Sequence, residues 1–189
     1  TEDEGVRNGF TQCVRNFADV TELRSALLRM KASSTGGLCG VTREHFSNAP
    51  DHVLEWVLEL TEDFFDGISP TALKLGAVTP LPKDDTRFRP ITLLEPIMKL
   101  VTGTVARRLS LLLHERHLLN PHQFGFVKGG GCEAPIEIVN DMYEDALDSD
   151  RPLYGAFLDA TSAFDTVQHP ALQAAFAHIG APPRFVWWV

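Results

Sequence analysis

The chain has 189 residues, of which 44% are hydrophobic and 22% charged, and a formal net charge of -8. That apolar content can bury a core and fits one or two domains, while the excess of acid argues against indiscriminate adhesion to phosphates. No run of about 18 apolar residues could span a bilayer, and residues 1–5 have neither the basic start nor the apolar centre of a signal peptide, so a cytoplasmic or nuclear site with no membrane partner is expected. Cys13, Cys39 and Cys132 are odd in number and form no C-x-x-C pair, which suggests reduced thiols rather than a disulfide framework or a zinc site.

Residues 1–10 read as frayed. Val20, Leu23, Leu27 and Met30 recur at helical spacing behind the possible caps Asp19 and Thr21, predicting a helix over 19–31. Residues 31–41, rich in Gly and Ser, read as a loop, and 42–46 as a short helical turn. Pro50 opens a helix with Val53, Trp56, Val57, Leu60 and Phe64 on one stripe and Gly67 as its stop. Residues 75–83 and 88–94 are extended segments joined by the polar turn Asp84–Arg87, hence a hairpin whose prolines confine it to an edge.

From Pro96 to about His117 the apolar stripe Ile97, Leu100, Val101, Val105, Leu109, Leu112 and Leu113 predicts a long helix, with Lys99, Arg107 and Arg108 off the stripe. Residues 120–132 are irregular, and Gly129, Gly130 and Gly131 free the backbone to approach a ligand. A helix over 133–147 follows, acidic on its outer face. Tyr154–Leu158 is a nearly continuous apolar run and reads as a central strand covered on both faces. Asp159 would stand at the exposed end of that strand, where a carboxylate can bind a divalent cation or cap the following turn. Pro170 starts a last helix that Gly180 stops. Residues 71–130 hold nine Lys or Arg against four acids, which is compatible with one basic face on an acidic molecule.

Three stretches carry a resemblance. Thr79-Pro-Leu-Pro-Lys-Asp-Asp-Thr-Arg-Phe-Arg-Pro-Ile-Thr-Leu-Leu, Asn120-Pro-His-Gln-Phe-Gly-Phe-Val-Lys-Gly-Gly and Phe157-Leu-Asp-Ala-Thr-Ser-Ala-Phe-Asp-Thr-Val-Gln-His resemble, in this order, two fingers blocks and the first palm motif of the reverse transcriptases of non-LTR retrotransposons and group II introns. Gly37-Leu-Cys-Gly-Val is similar to an upstream Gly-x-Asp-Gly-Ile block, with Cys39 in place of Asp. The resemblance covers roughly residues 36–189. It implies an α/β fold: the fingers and partial palm of a right-hand polymerase, helix-rich, with a short antiparallel fingers hairpin and a palm strand. The corresponding division is an N-terminal helical extension over 1–35, a fingers-like region over 36–150 and the start of a palm over 151–189.

The resemblance also implies roles. Asp159 would be the catalytic carboxylate and, with the backbone carbonyl of Ala160, a ligand to two Mg²⁺ ions. Lys83 and Arg89 would meet the triphosphate of the incoming deoxynucleotide, with Arg87 a looser candidate. Phe164 would underlie the sugar and exclude a 2′ hydroxyl; its alternative is an ordinary core phenylalanine. Gly125, Lys128 and Gly129 would contact the template backbone, while Gly130 and Gly131 equally suit a plain loop. Asp165 would cap or orient, and His122 and His169 would be structural. The expected partners are an RNA template, a DNA primer and deoxynucleoside triphosphates. Residues 1–189 contain no Tyr-x-Asp-Asp hairpin and no thumb, so the expectation is a fragment with little or no polymerase activity by itself. Two rivals are a non-catalytic nucleic-acid-binding or assembly module derived from such an enzyme, and a helical interaction domain with accidental motif matches.

Overall fold

Residues expected to fray form the first helix. In the computed structural model, which describes residues 2–33, 35–68, 70–127 and 129–189, α1 spans Glu2–Cys13. Val6, Phe10 and Cys13 lie four and three residues apart, so they make one stripe, and that stripe packs on α6 (Pro96–Glu115). The acidic start hides this pattern because only one turn in three is strongly apolar.

The next elements fall where local chemistry puts them. α2 (Val20–Arg29) begins at Asp19, whose carboxylate accepts a hydrogen bond from the Glu22 amide at 2.8 Å, and it buries Leu23, Ala26 and Leu27. α3 (Arg43–Ser47) is a single turn behind Thr42. α4 (Asp51–Phe65) follows Pro50 and ends at Gly67, whose φ of +79° closes the last turn. Its buried face is Leu54, Val57, Thr61, Phe64 and Phe65, not the stripe through Val53 and Trp56; Trp56 is 70% exposed. Apolar residues cover so much of this helix that spacing alone leaves its rotation open. Thr61 can turn inward because its hydroxyl donates to Leu58 O at 2.8 Å and Asn16 Oδ1 at 3.0 Å.

α5 (Thr71–Lys74) leads into the antiparallel hairpin of β1 (Ala77–Pro82) and β2 (Phe88–Leu93), paired from Ala77↔Leu93 to Pro82↔Phe88. α6 then supplies Ile97, Leu100, Val101, Val105 and Leu112 to the core. α7 (Glu133–Asp148) buries none of its described residues. α8 (His169–His178) and α9 (Pro183–Trp188) close the chain. Phe185 of α9 packs edge-on against Phe10 (ring centroids 5.0 Å) and Phe176 (5.1 Å), so the core joins the two ends of the sequence. Trp188 Nε1 donates to Phe64 O at 3.1 Å, and Arg184 pairs with Asp66 at 2.6 Å.

Arg108 departs from expectation. Placed off the apolar stripe of α6 by its spacing, it is instead only 14% exposed at the side chain. Its guanidinium donates to Cys13 O at the end of α1, to Arg15 O just after it and to Glu22 Oε1 at 3.2 Å, and it stands 5.7 and 5.6 Å from the ring centres of Phe17 and Phe65. Glu22 also accepts both Arg15 Nη1 and Nη2 at 3.0 Å and the Ala18 amide at 2.7 Å. Burial raises the Glu22 pKa, but these donors outweigh burial and bring it to about 2. Burial pushes the nearby Cys13 thiol up to about 11.

The expected strand over 154–158 does not form. Residues 151–160 have no regular structure, and Tyr154, Phe157 and Leu158 are 89%, 94% and 97% exposed. A central strand needs a neighbour on each side to take its backbone hydrogen bonds, and the described residues hold one sheet, the β1–β2 pair, which does not reach this stretch.

Removing the charge of Arg108 leaves Glu22 and two carbonyls without their shared donor, so Arg108→Met is expected to destabilise the fold by roughly 3 kcal/mol, read by denaturant unfolding. Glu22 is harder to protonate folded (about 2) than unfolded (4.5), so its contribution is complete above about pH 4.5 and disappears as pH falls toward 2. Glu22→Gln should flatten the stability–pH curve in that window.

Candidate functional site

The hairpin presents two of the predicted cations and ties down the third. In the turn, Asp84 Oδ1 accepts the Thr86 amide at 3.1 Å and the Arg87 amide at 2.9 Å, and Oδ2 accepts Arg87 Nε at 2.6 Å. The hydrogen bonds from the Thr86 amide and the Arg87 side chain hold the Asp84 carboxyl below its usual range. Arg87 is therefore a staple of the turn. Lys83 donates its amide to Arg87 O at 2.8 Å, while its ammonium group and the Arg89 guanidinium make no side-chain hydrogen bond or ion pair among the described residues. Arg89 faces Leu81 across the pair, and both strands are exposed along most of their length.

The glycine loop is a built turn. The Gly130 amide donates to Val127 O at 2.9 Å, and a Cβ at Gly130 would collide with the carbonyl oxygen of Phe124, so this glycine is required by the turn itself. Gln123 Nε2 donates to Gly125 O at 2.9 Å, and Gly129 has a φ of +77°. Lys128 lies outside the described residues. Gly125, Gly130 and Gly131, with Phe124 and the first turns of α7, line a groove of about 610 Å³ whose far wall includes Phe157. Phe126 meets Phe164 edge-on with ring centroids 6.1 Å apart. The 120–131 loop and the 157–169 stretch are thus brought together through aromatic contacts, and Phe126 is the residue that sequence reasoning missed. Phe164 is 82% exposed, which excludes an ordinary core role in residues 1–189.

Asp159 is exposed and accepts no hydrogen bond among the described residues, so it does not cap the turn that follows. That turn over 161–166 closes by the Thr166 amide donating to Ser162 O at 3.1 Å. No hydrogen bond, ion pair or shared cavity among the described residues joins Asp159 to Lys83 or Arg89. Nor does any group of three His, Cys, Asp or Glu suited to a metal ion occur among them. Asp159 and the Ala160 carbonyl supply too few hard oxygens to hold two cations, so a two-metal centre does not fit these residues alone.

Comparison with known proteins decides what these motifs are. Residues 81–189 match the family described as reverse transcriptase (RNA-dependent DNA polymerase).

The chain belongs to this reverse transcriptase family.

The Pol polyprotein of the type-2 retrotransposable element R2DM of Drosophila melanogaster is 26% identical over 93% of the chain and 16% of its own length. The Transposon TX1 uncharacterized 149 kDa protein of Xenopus laevis is 29% identical over 89% of the chain and 13% of its own length. The RNA-directed DNA polymerase from the mobile element jockey of D. melanogaster is 28% identical over 65% of the chain and 14% of its own length. The chain therefore spans about one sixth or less of these relatives. A helical interaction domain with accidental motif matches is overturned by the family match. Family members copy a nucleic-acid template from nucleotide substrates, and template-directed polymerases work with divalent cations. The mixed helix and strand fold with its antiparallel hairpin is compatible with part of such an enzyme.

Gly130→Ala should break the turn locally: amide resonances of the 124–131 loop are expected to move in a two-dimensional NMR spectrum, while those of α1, α2 and α6 stay in place.

Proposed function

We propose that the chain supplies the fingers and the opening segment of the palm of an RNA-directed DNA polymerase. The observation that carries this reading is that Lys83, Arg89, Gly125, Lys128, Gly129, Asp159, Ala160 and Phe164 all fall inside residues 81–189, the stretch that matches the family. In the reading, Asp159 is the catalytic carboxylate and, with the Ala160 carbonyl, would supply one part of the ligand set for Mg²⁺, whose charge would assist nucleotidyl transfer. Lys83 and Arg89 hold triphosphate oxygens, Arg89 through its planar fork. Phe164 lies under the sugar, and Gly125, Lys128 and Gly129 hold the template backbone. The partners are RNA template, DNA primer and deoxynucleoside triphosphates.

The exposed apolar run Tyr154–Leu158 supports a palm strand that pairs with strands supplied from outside residues 1–189. Until it is paired, Asp159 has no fixed relation to the hairpin cations. A second reading, a non-catalytic nucleic-acid-binding module, is favoured by the lack of a metal-ligand cluster among the described residues.

Primer extension on an RNA template separates the two. In the longer polypeptide that contains this chain, Asp159→Ala is expected to lower the rate by more than the roughly 10–100-fold that loss of an outer partner of a metal ligand costs. Equal rates would remove Asp159 from the chemistry, and no extension by the wild type would favour the binding module. Phe164→Ala should raise ribonucleotide incorporation relative to deoxynucleotide by roughly 10-fold or more, measured as a ratio of kcat/KM values. The polypeptide 1–189 alone is expected to extend no primer above the Asp159→Ala background.

A further inference from the structure

Glu95 is buried, only 3% exposed, and takes no part in the chemistry assigned to Asp159 and the hairpin. It closes the two-residue link, Leu94–Glu95, between β2 and α6. Its Oε1 accepts the Cys39 amide at 3.0 Å and its Oε2 accepts the Cys39 thiol. Those two hydrogen bonds, helped by the Leu38 amide and the Lys99 charge, hold the carboxyl below its usual range although burial pushes it up. One turn along α6, Lys99 donates Nζ to Thr35 O at 3.0 Å. The loop over 35–41 is therefore pinned to the start of α6 at two points.

That loop is shaped to the carboxylate. A Cβ at Gly37 would collide with Glu95 Oε1 and crowd its backbone amide, so only glycine lets the chain pass this close. The Gly40 amide donates to Gly37 O at 3.2 Å, and Gly40 takes a φ of +71°, which closes a tight turn around the acceptor. Burying a carboxylate is costly unless its lone pairs are used, and here one turn supplies a thiol and two amides to it.

What leaves this anchored point is the hairpin. Within β1 and β2 only Ala77 and Leu93, the pair at the root, are partly buried, and the other strand residues are exposed. Arg89 lies four residues from Leu93, about 13 Å at the rise of a strand, so its direction is set at the root. A rotation of about 10° there would carry the Arg89 backbone about 2 Å, several times the spread of about 0.5 Å in hydrogen-bond distances.

We infer that Glu95 is a positioning residue: by holding the 37–40 turn against the root of the hairpin, it fixes the direction in which Lys83 and Arg89 meet the triphosphate of the incoming nucleotide. The inference rests on the proposed role of those two cations, and Glu95 itself touches no substrate.

The test is nucleotide kinetics in the longer polypeptide that contains this chain, with primer and template saturating. Glu95→Gln keeps the side chain's shape but leaves one acceptor oxygen where two are used. KM for the deoxynucleotide is expected to rise at least about 10-fold, the size of one hydrogen bond to a charged group, with kcat unchanged. In the Glu95→Gln background Arg89→Ala should cost less than in the wild type, a coupling that general loosening of the fold would not produce. Cys39→Asp sets a second carboxylate against Glu95 and should raise KM in the same way, whereas Cys39→Asp/Glu95→Gln restores a donor to the pair and should recover most of the loss. Hydrogen–deuterium exchange on the 189-residue chain reads the anchor without activity: Glu95→Gln should speed exchange at Leu38, Cys39 and Gly40 while the interiors of α1 and α2 keep wild-type rates. An unchanged KM in Glu95→Gln, additive effects of Glu95→Gln and Arg89→Ala, or exchange that is unchanged over 38–40 or faster throughout would each overturn the inference. If Lys83→Ala/Arg89→Ala leaves KM unchanged, the role of the two cations falls and the inference with it; if that variant raises KM and Glu95→Gln does not, the inference alone falls.

Discussion

Arg108 fixes the scaffold on which everything else is hung. One guanidinium reaches the Cys13 carbonyl at the end of α1, the Arg15 carbonyl just after it, the carboxylate at the start of α2 and two aromatic rings, so it sets three helices against one another at a single point. A planar group with five donors can do this and an ammonium cannot, because the donors must point at several acceptors at once while the flat face lies on aromatic rings. Burying it is tolerable only because its hydrogen bonds are made, and the depressed pKa of Glu22 is the other half of that bargain. With α1 and α2 docked on α6, the helix that follows the hairpin has a fixed position, and so does the Glu95 carboxylate at its start.

The polymerase motifs occupy a different physical regime. The hairpin, the glycine loop and the Asp159 segment lie outside the buried core, and α7 between them exposes Ile136, Val139, Met142, Tyr143 and Leu147. Contiguous apolar surface of this kind marks a place where further structure docks. Two links already hold: the Phe126–Phe164 edge contact and the Phe157 wall of the glycine-loop groove. They bring the glycine loop and the stretch that carries Asp159 and Phe164 together although residues 151–160 have no regular structure.

What could be read from the residues alone was what depends on short-range chemistry. Asp19 as a cap, Pro96 as a helix start, the Asp84 turn and Gly67 as a stop each act within a few positions, and each is where the spacing puts it. Of the candidate site, the family was legible, because its motifs occupy contiguous stretches within residues 81–189. The rest depends on partners distant in sequence. α1 is held by Phe185 at the far end of the chain, the rotation of α4 is settled by Asn16, and Arg108 looked solvated until Glu22 and the α1 carbonyls were placed beside it. Tyr154–Leu158 has the composition of a buried strand, but composition cannot supply the neighbours that a strand requires.

The central claim is that a fixed helical scaffold carries an Asp159 segment which stays unpaired within residues 1–189. Hydrogen–deuterium exchange on that polypeptide measures this directly, amide by amide. The account predicts slow exchange through the interiors of α1, α2, α4 and α6, and exchange near the free-chain rate over residues 153–160. Slow exchange over 153–158 would contradict it, because the palm strand would then be paired inside this chain and Asp159 already fixed.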